Sequence, residues 1–369
     1  MKIAIIINTS WNIYNFREGL VHFFLERGDE VMAIAPKDDY SHKLQEWGCE
    51  YMPVEIIGTG MNPIKDLRLI LVLRKKLKKW RPDVVLTYTI KPNLYGSIAA
   101  GSLGIPCICN VSGLGTVFLW TGWIRRFAVL LYTVSFRFNK WVFFQNDEDR
   151  EDFLSFVRLP REKTSLLPGS GINTSDFMIS PFIKKEKTVF LMIARLIVEK
   201  GVGDFIEAIR IIKKSRTDLE FILVGNLDQE HSRAISKVEL NQWIYEGLVT
   251  YKGHLDDVKP EIQQADVIVL PSYREGTPRT LLEGGAMGKA LLATDVPGCR
   301  HVVKDGYNGF LFESKNPRDL ADKMKLYLAL NQEERSQMAV NSRKWIKEVF
   351  EEKIVINLYA EKMDQLVKE

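Results

Sequence analysis

Acidic side chains are missing from a long part of this sequence: between Val84 and Asn146 there is no aspartate or glutamate. The only charges there are Lys91, Arg125, Arg126, Arg137 and Lys140, and Pro92 to Ile124 carries none. An uncharged window of that length could cross a bilayer. Gly96, Gly101, Gly104, Gly113, Gly115 and Gly122, with the Ile105-Pro106 pair, cut it into short pieces and argue against a spanning helix. Cysteine is scarce. Cys49, Cys107, Cys109 and Cys299 form no CxxC pair, and Met1 leads directly into a strand-like run with no signal peptide, so a reduced, cytosolic chain is expected. His22, His42, His231, His254 and His301 lack HExxH-type spacing, and no metal site is expected. Gly284-Gly285-Ala286-Met287-Gly288 before Lys289 is not a Walker loop, and no Gly-x-Ser-x-Gly elbow occurs. Net charge is also small. Lys plus Arg is 51 against 47 for Asp plus Glu, a balance of +4 that does not point to nucleic acid.

What is present is an ordinary soluble composition, 46% hydrophobic and 27% charged, over 369 residues. That length predicts about two domains. The first half alternates strand-like runs at Lys2–Ile7, Glu30–Ala35, Glu50–Pro53, Asp83–Thr87, Pro106–Asn110 and Trp141–Gln145 with helical patterns at 16–27, 40–47, 64–79 and 124–138. The second half restarts the series. Strands are expected at Thr188–Ala194, Glu220–Val224, Val249–Lys252, Val267–Leu270 and Ala290–Thr294, with a weak sixth at Phe310-Leu311. Helices are expected at 203–214, 230–244, 256–263 and 279–287, then at 316–345 with a break near Asn331, and at 350–367. Repeated β-α-β units make doubly wound parallel sheets, and the stretch 167–185 with Pro168, Gly169, Gly171 and Pro181 reads as the linker. Two such domains facing a cleft would bind ligands at the carboxyl ends of their strands.

The richest constellation is Pro271-Ser-Tyr-Arg-Glu-Gly-Thr-Pro-Arg-Thr-Leu-Leu-Glu283. Gly276 permits a turn after the strand, and Pro278 suits the first turn of a helix. A helix N-terminus in that place attracts an anion. Glu275 before the helix and Glu283 within it suit the hydroxyls of a sugar or a ribose, because carboxylates accept strong hydrogen bonds. Arg195 and Lys200, ahead of Gly201 and Gly203, are two cations at the edge of the same sheet and read as a diphosphate clamp. Gly225 ends another strand and allows close backbone approach to a ligand.

In the first domain Asn12, Asn15, Phe16 and Arg17 follow the first strand. Lys91 and Asn93 follow a later strand, and Asn110, Ser112, Gly113 and Gly115 follow the next. Arg17 and Lys91 are candidates for an anionic acceptor, and Asn110 and Ser112 for polar contacts near the reaction centre. Residues 68–81 hold seven basic side chains and no acid. Phe118, Trp120, Trp123, Phe127, Tyr132, Phe136, Phe138, Trp141, Phe143 and Phe144 are interspersed with Arg125, Arg126, Arg137 and Lys140. Aromatic rings with cations suit the surface of an anionic membrane, although residues 141–144 read as core.

Taken together these residues resemble the retaining, nucleotide-sugar-dependent glycosyltransferases of family 4. Their Glu-x7-Glu motif corresponds to Glu275 and Glu283, and their diphosphate-binding Arg and Lys to Arg195 and Lys200. Ala293-Thr-Asp-Val-Pro-Gly-Cys-Arg300 and Asp305-Gly-Tyr-Asn-Gly309 also look like landmarks of that family. Asn15-Phe-Arg17, Lys91-Pro-Asn93 and Asn110-Val-Ser-Gly-Leu-Gly115 are similar to the capsule, O-antigen and N-glycan branch, which adds an N-acetylhexosamine to a polyprenyl-diphosphate-linked sugar.

The resemblance implies an α/β protein of GT-B fold. An acceptor-binding, membrane-associated Rossmann-like domain would occupy 1–175, a donor-binding one 176–348, and a helix at 349–369 would return to the first. It also implies a UDP-sugar donor, UDP-N-acetylhexosamine by branch, and no required cofactor or metal. Glu275 would contact the donor sugar and Glu283 the ribose. Gly276, Thr277, Pro278 and Gly225 would line the donor site, and Asn15, Arg17, Lys91, Asn93, Asn110 and Ser112 the acceptor site. The protein would work at the inner face of the cytoplasmic membrane. Several lipid-acceptor members have a histidine after a first-domain strand, but 107–115 contains none. The implied retaining route is therefore same-face attack, with the departing diphosphate oxygen taking the proton and Arg195 and Lys200 stabilising its charge. Two other readings stand beside this one: a soluble GT-B transferase or phosphorylase acting on a small acceptor, and a non-catalytic nucleotide-sugar-binding module.

Overall fold

The computed structural model describes residues 1–56, 62–114, 123–179, 186–227 and 233–368. Gly115, Phe118, Trp120, Gly122, Pro181 and His231 lie outside the described residues, as do the side chains of Trp123 and Ile124. The chain forms two compact units, Met1–Gly171 with Glu352–Glu369, and Ile172–Glu351.

The first unit is built on a parallel sheet of seven strands: β1 (Lys2–Ile6), β2 (Glu30–Ala35), β3 (Glu50–Pro53), β4 (Val84–Tyr88), β5 (Cys107–Val111), β6 (Trp141–Phe144) and β7 (Thr164–Leu166). Their spatial order is β3-β2-β1-β4-β5-β6-β7. The central strands are apolar on both faces because helices cover both. Ala4, Ile6, Val85 and Cys109 pack with Leu69, Leu73 and Leu77 of the helix Pro63–Trp80 and with Tyr132 and Phe136 of the helix Trp123–Phe136. Ile3, Ile5, Leu86 and Phe143 pack on the opposite side with Leu20 and Phe24 of the helix Glu18–Glu26. The C-terminal helix Glu352–Lys368 joins that second face through Val355, Tyr359 and Met363. Each fully buried aliphatic or aromatic side chain contributes about 1.5–3 kcal/mol against the entropy of ordering.

The second unit has a six-stranded parallel sheet: β8 (Thr188–Ile193), β9 (Leu219–Val224), β10 (Thr250–Tyr251), β11 (Val267–Leu270), β12 (Ala290–Thr294) and β13 (Gly309–Phe312). The order is β10-β9-β8-β11-β12-β13. The order reverses between β8 and β11, the place where open α/β sheets hold ligands. Arg343, on the helix Gln332–Val349, donates to the carbonyls of Thr174, Phe177 and Ala286 and so pins the chain entering this unit.

Sequence and structure differ in several places, among them the helices Asp147–Phe156 and Pro297–Val302, which no expected element covers. A helix Ser10–Phe16, opened by the Thr9 side chain accepting from the Asn12 amide, precedes the one expected at 16–27. Residues 92–101 are helical, beginning with a π-turn at Pro92–Gly96, and β7 is an edge strand. The helix expected at 230–244 is Lys237–Tyr245, because Ser236 and Glu239 form a capping box there.

Candidate functional site

In the second unit the site is assembled from two loops that follow β8 and β11. After β8 the chain passes Arg195, which is exposed and makes no side-chain hydrogen bond or ion pair among the described residues. It then forms a short 3-10 turn, Val198–Lys200, and enters the helix Val202–Lys213 through Gly201. Gly201 has φ +71°, and a Cβ there would lie 2.0 Å from the Pro271 carbonyl oxygen. Only glycine permits this approach of the two loops.

The loop after β11 is tied to the first by backbone. The Tyr273 amide donates to the Glu199 carbonyl at 2.9 Å, and the buried Ser272 hydroxyl donates to the same oxygen at 3.3 Å. This brings Lys200 Nζ to 2.5 Å from Glu275 Oε1. Both side chains are largely covered, so the pair is screened less than a surface pair. Pro278 precedes the helix Arg279–Ala286 and offers no side-chain cap. The Thr277 hydroxyl is buried with no partner among the described residues.

One turn into that helix, Glu283 Oε1 accepts from Arg279 Nε at 3.0 Å. Burial pushes the Glu283 carboxyl above the ordinary glutamate range, while Arg279 and Lys259 pull it down and Asp257 raises it. Gly225, with φ +151°, lies so close to β8 that a Cβ would fall 1.8 Å from the Ala194 carbonyl oxygen. Burial raises the Tyr273 phenol to about 12, with Asp204 and Glu199 adding to the shift. Glu275, Gly276, Thr277, Pro278 and Glu283 thus share one loop-and-helix element, with Lys200 against it from the loop after β8 and Arg195 and Gly225 at neighbouring strand ends. The spacing alone did not single out Arg279, Ser272 or Thr280, whose hydroxyl donates to the Ile193 carbonyl at 3.0 Å.

In the first unit the polar residues gather at the carboxyl ends of β1, β4 and β5. Arg17 sits at the junction of the helices Ser10–Phe16 and Glu18–Glu26, buried, with its guanidinium carbon 4.5 Å from the centre of the Tyr88 ring. It donates to the Phe16 carbonyl at 2.6 Å. Asn110 Nδ2 donates to the Tyr359 hydroxyl at 2.9 Å, and Asn93 Nδ2 donates to the Asn110 carbonyl at 2.8 Å. Arg17, Asn110 and Tyr359 line one crevice.

The other three expected residues are placed differently. Lys91 Nζ lies 3.0 Å from Asp66 Oδ1 in an ion pair that is nearly buried, so Asp66 of the helix Pro63–Trp80 already neutralises its charge. Asn15 Nδ2 donates to the Trp11 carbonyl at 2.9 Å, and Ser112 is exposed. Among the described residues there is no group of three metal-ligating side chains, and no helix is long and apolar enough to cross a membrane.

Comparison with known proteins follows the same division. Residues 15–169 match the model of the glycosyl transferase 4-like domain, and residues 174–345 match glycosyl transferases group 1. The chain is 31% identical to N,N'-diacetylbacillosaminyl-diphospho-undecaprenol alpha-1,3-N-acetylgalactosaminyltransferase of Campylobacter jejuni, over 100% of both chains. It is 28% identical to UDP-Gal:alpha-D-GlcNAc-diphosphoundecaprenol alpha-1,3-galactosyltransferase of Escherichia coli, over 70% of each. Among solved structures, Anabaena HepE in complex with UDP-glucose superposes with a TM-score of 0.80 at 19% identity, covering 99% of this chain and 100% of that one. The fold is GT-B.

Proposed function

The chain belongs to the group 1 glycosyl transferases and is a hexosyltransferase; from that premise we propose that it moves an N-acetylhexosamine from a UDP-sugar to a polyprenyl-diphosphate-linked saccharide. Support for the acceptor comes from the two relatives whose names carry a diphospho-undecaprenol saccharide. The observation that carries the donor reading is the Lys200–Glu275 pair beside an uncapped helix N-terminus. It joins a cation, a carboxylate and a helix N-terminus in a single loop cluster, and a nucleoside diphosphate sugar has a complement for each.

In this reading Arg195 and Lys200 bind the diphosphate. Lys200 has three N–H donors, so it can keep Glu275 while it receives a phosphate oxygen. Glu275 holds sugar hydroxyls and Glu283 the ribose, with amides from Gly276 onward facing the donor. The acceptor hydroxyl attacks on the face from which the diphosphate leaves. The departing oxygen takes the proton, and Arg195, Lys200 and the helix N-terminus stabilise its charge. The anomeric configuration is retained, and the route draws on no metal or cofactor.

Acceptor binding belongs to the first unit, which also carries a surface suited to lipid. Ile64, Leu67 and Leu71 form an exposed stripe on the helix Pro63–Trp80, and Phe127, Leu130 and Val134 repeat the same spacing on the helix Trp123–Phe136. Both helices cover one face of the sheet. Arg68, Arg74, Lys75, Lys78, Lys79, Arg126, Arg137 and Lys140 are exposed on or beside these helices. Apolar stripes among cations fit an anionic leaflet, and this would place the enzyme at the inner face of the cytoplasmic membrane. A panel of nucleotide sugars against short polyprenyl-diphosphate saccharides, read by mass spectrometry, tests the reading. Turnover only with a free saccharide would favour a soluble transferase.

A further inference from the structure

In the first unit, among the described residues, several of the buried polar atoms without a hydrogen-bond partner lie at one rim of the sheet. They include Asn12 Oδ1, Arg17 Nε, Thr89 Oγ1, Asn93 Oδ1 and Asn110 Oδ1. Each is costly to leave unmade, so a group of them in one place marks where a ligand completes the set. Two backbone features coincide with it. Thr89, a β-branched residue, has φ +69°, and the following turn at Pro92–Gly96 is a π-helix. Strain and π-turns of this kind collect at binding sites.

Arg17 is only 6% exposed, and among the described residues no carboxylate pairs with it. The Tyr88 ring covers one face of its guanidinium, and the Phe16 carbonyl accepts one N–H. A buried cation so held still needs an anion. The crevice beside it is lined by Arg17, Asn110, Tyr359, Gly169, Ser170 and Glu352. The Glu352 carboxylate is placed against Gly19, where a Cβ would come within 2.1 Å of it. It therefore lies beside the first turn of the helix Glu18–Glu26, whose N-terminal dipole favours a negative charge.

Tyr359 contributes the remaining part. It is buried, and burial holds its phenol neutral. Its hydroxyl accepts from Asn110 Nδ2, which leaves Asn110 Oδ1 as an acceptor without a donor. The Tyr88 hydroxyl lies beside Tyr359 and Arg17 and completes the cluster.

We propose that Tyr359, carried by the C-terminal helix, is a positioning residue of the acceptor site: it fixes the Asn110 amide so that Oδ1 receives a hydroxyl or N–H of a phosphorylated saccharide whose phosphate is bound by Arg17. This rests on the acceptor reading above and extends it to a residue from the far end of the chain. Arg17 supplies charge, Asn110 supplies direction, and Tyr359 decides which end of the amide faces the ligand. The saccharide and the phosphate are thus read by different residues.

The test uses the full chain with saturating UDP, so that the donor site is filled. N-acetylglucosamine 1-phosphate and inorganic phosphate are titrated separately by NMR, and acceptor KM and kcat are measured in parallel. Tyr359→Phe keeps the ring and should weaken the sugar phosphate about tenfold, raise acceptor KM by a similar factor, and leave inorganic phosphate and UDP affinity unchanged. Arg17→Gln should weaken both phosphates about tenfold or more; should it fail to fold, Arg17→Lys keeps the charge and loses the Nε donor. Sugar-phosphate affinity and acceptor KM both unchanged in Tyr359→Phe would overturn the proposal. So would an equal loss of inorganic phosphate and UDP, which is the mark of general structural damage. Wild-type turnover of a polyprenyl-diphosphate saccharide reports separately on the wider reading. Without such turnover, the same selective losses would still support the site and identify its ligand as a different phosphorylated saccharide.

Discussion

Lys200 Nζ and Glu275 Oε1 are 2.5 Å apart, although they belong to loops that follow different strands of the second sheet. In the proposed donor reading, the pair holds a cation for the diphosphate and a carboxylate for the sugar in fixed register. Glu275→Gln should keep the fold and lower kcat/KM by about 100-fold or more, because a developing charge and its positioning group are both disturbed. Arg195→Ala should raise the donor KM and lower kcat without affecting stability, since the side chain is exposed. Steady-state kinetics with circular dichroism as the folding control checks both. Full activity in Arg195→Ala would remove it from the diphosphate site.

If Glu283 holds the ribose as proposed, donor binding should depend on pH. Burial raises its carboxyl above the usual range, and Arg279 opposes this. Only the ionised form accepts strongly from ribose hydroxyls, so UDP affinity should fall as pH drops through that raised value. Arg279→Gln removes the opposing charge and should move the fall to higher pH. Calorimetric titration of UDP between pH 5 and 8 reads the shift. Identical profiles in wild type and variant would contradict this role of Arg279.

Lys91 is expected to behave as a structural tie rather than as a phosphate ligand. Its ion pair with Asp66 is nearly buried, so Lys91→Met alone should cost about 3 kcal/mol by leaving a carboxylate unpaired. The double variant Lys91→Met with Asp66→Leu should recover most of that loss. Denaturant melts of the three proteins check the cycle. Acceptor KM should follow Arg17 and not Lys91.

Membrane contact should depend on the two exposed stripes. Replacing Leu67, Leu71, Phe127 and Leu130 by serine removes apolar area that is already in water, so the folded state should be kept. Co-sedimentation with anionic vesicles should drop severalfold, and it should weaken with salt in the wild type. Unchanged pelleting would place the lipid contact elsewhere.

The strands were legible because a parallel sheet covered on both faces demands short, nearly continuous apolar runs, as in β1 and β11. Glu275 and Glu283 were legible because strand, glycine turn and helix follow one another in sequence. Residues 92–101 were hidden because Pro92, Gly96 and Gly101 read as breakers, whereas proline is accepted in a first turn and the π-turn absorbs the rest. Arg17 and Asn110 were visible as polar residues after strands, but their partners Tyr88 and Tyr359 were not. Asn110 and Tyr359 are 249 positions apart, and nothing in local spacing pairs them. The same holds for Lys91 and Asp66, so a candidate ligand proved to be one half of an ion pair.

The central claim is retaining transfer from a UDP-sugar to a polyprenyl-diphosphate-linked saccharide. The most direct measurement incubates the enzyme with UDP-N-acetylhexosamine and a short polyprenyl-diphosphate saccharide, then assigns the new linkage by NMR. The account predicts a product one N-acetylhexosamine longer, with the α configuration of the donor kept. A β-linked product, or no transfer to the lipid-linked saccharide from any UDP-sugar, would contradict it.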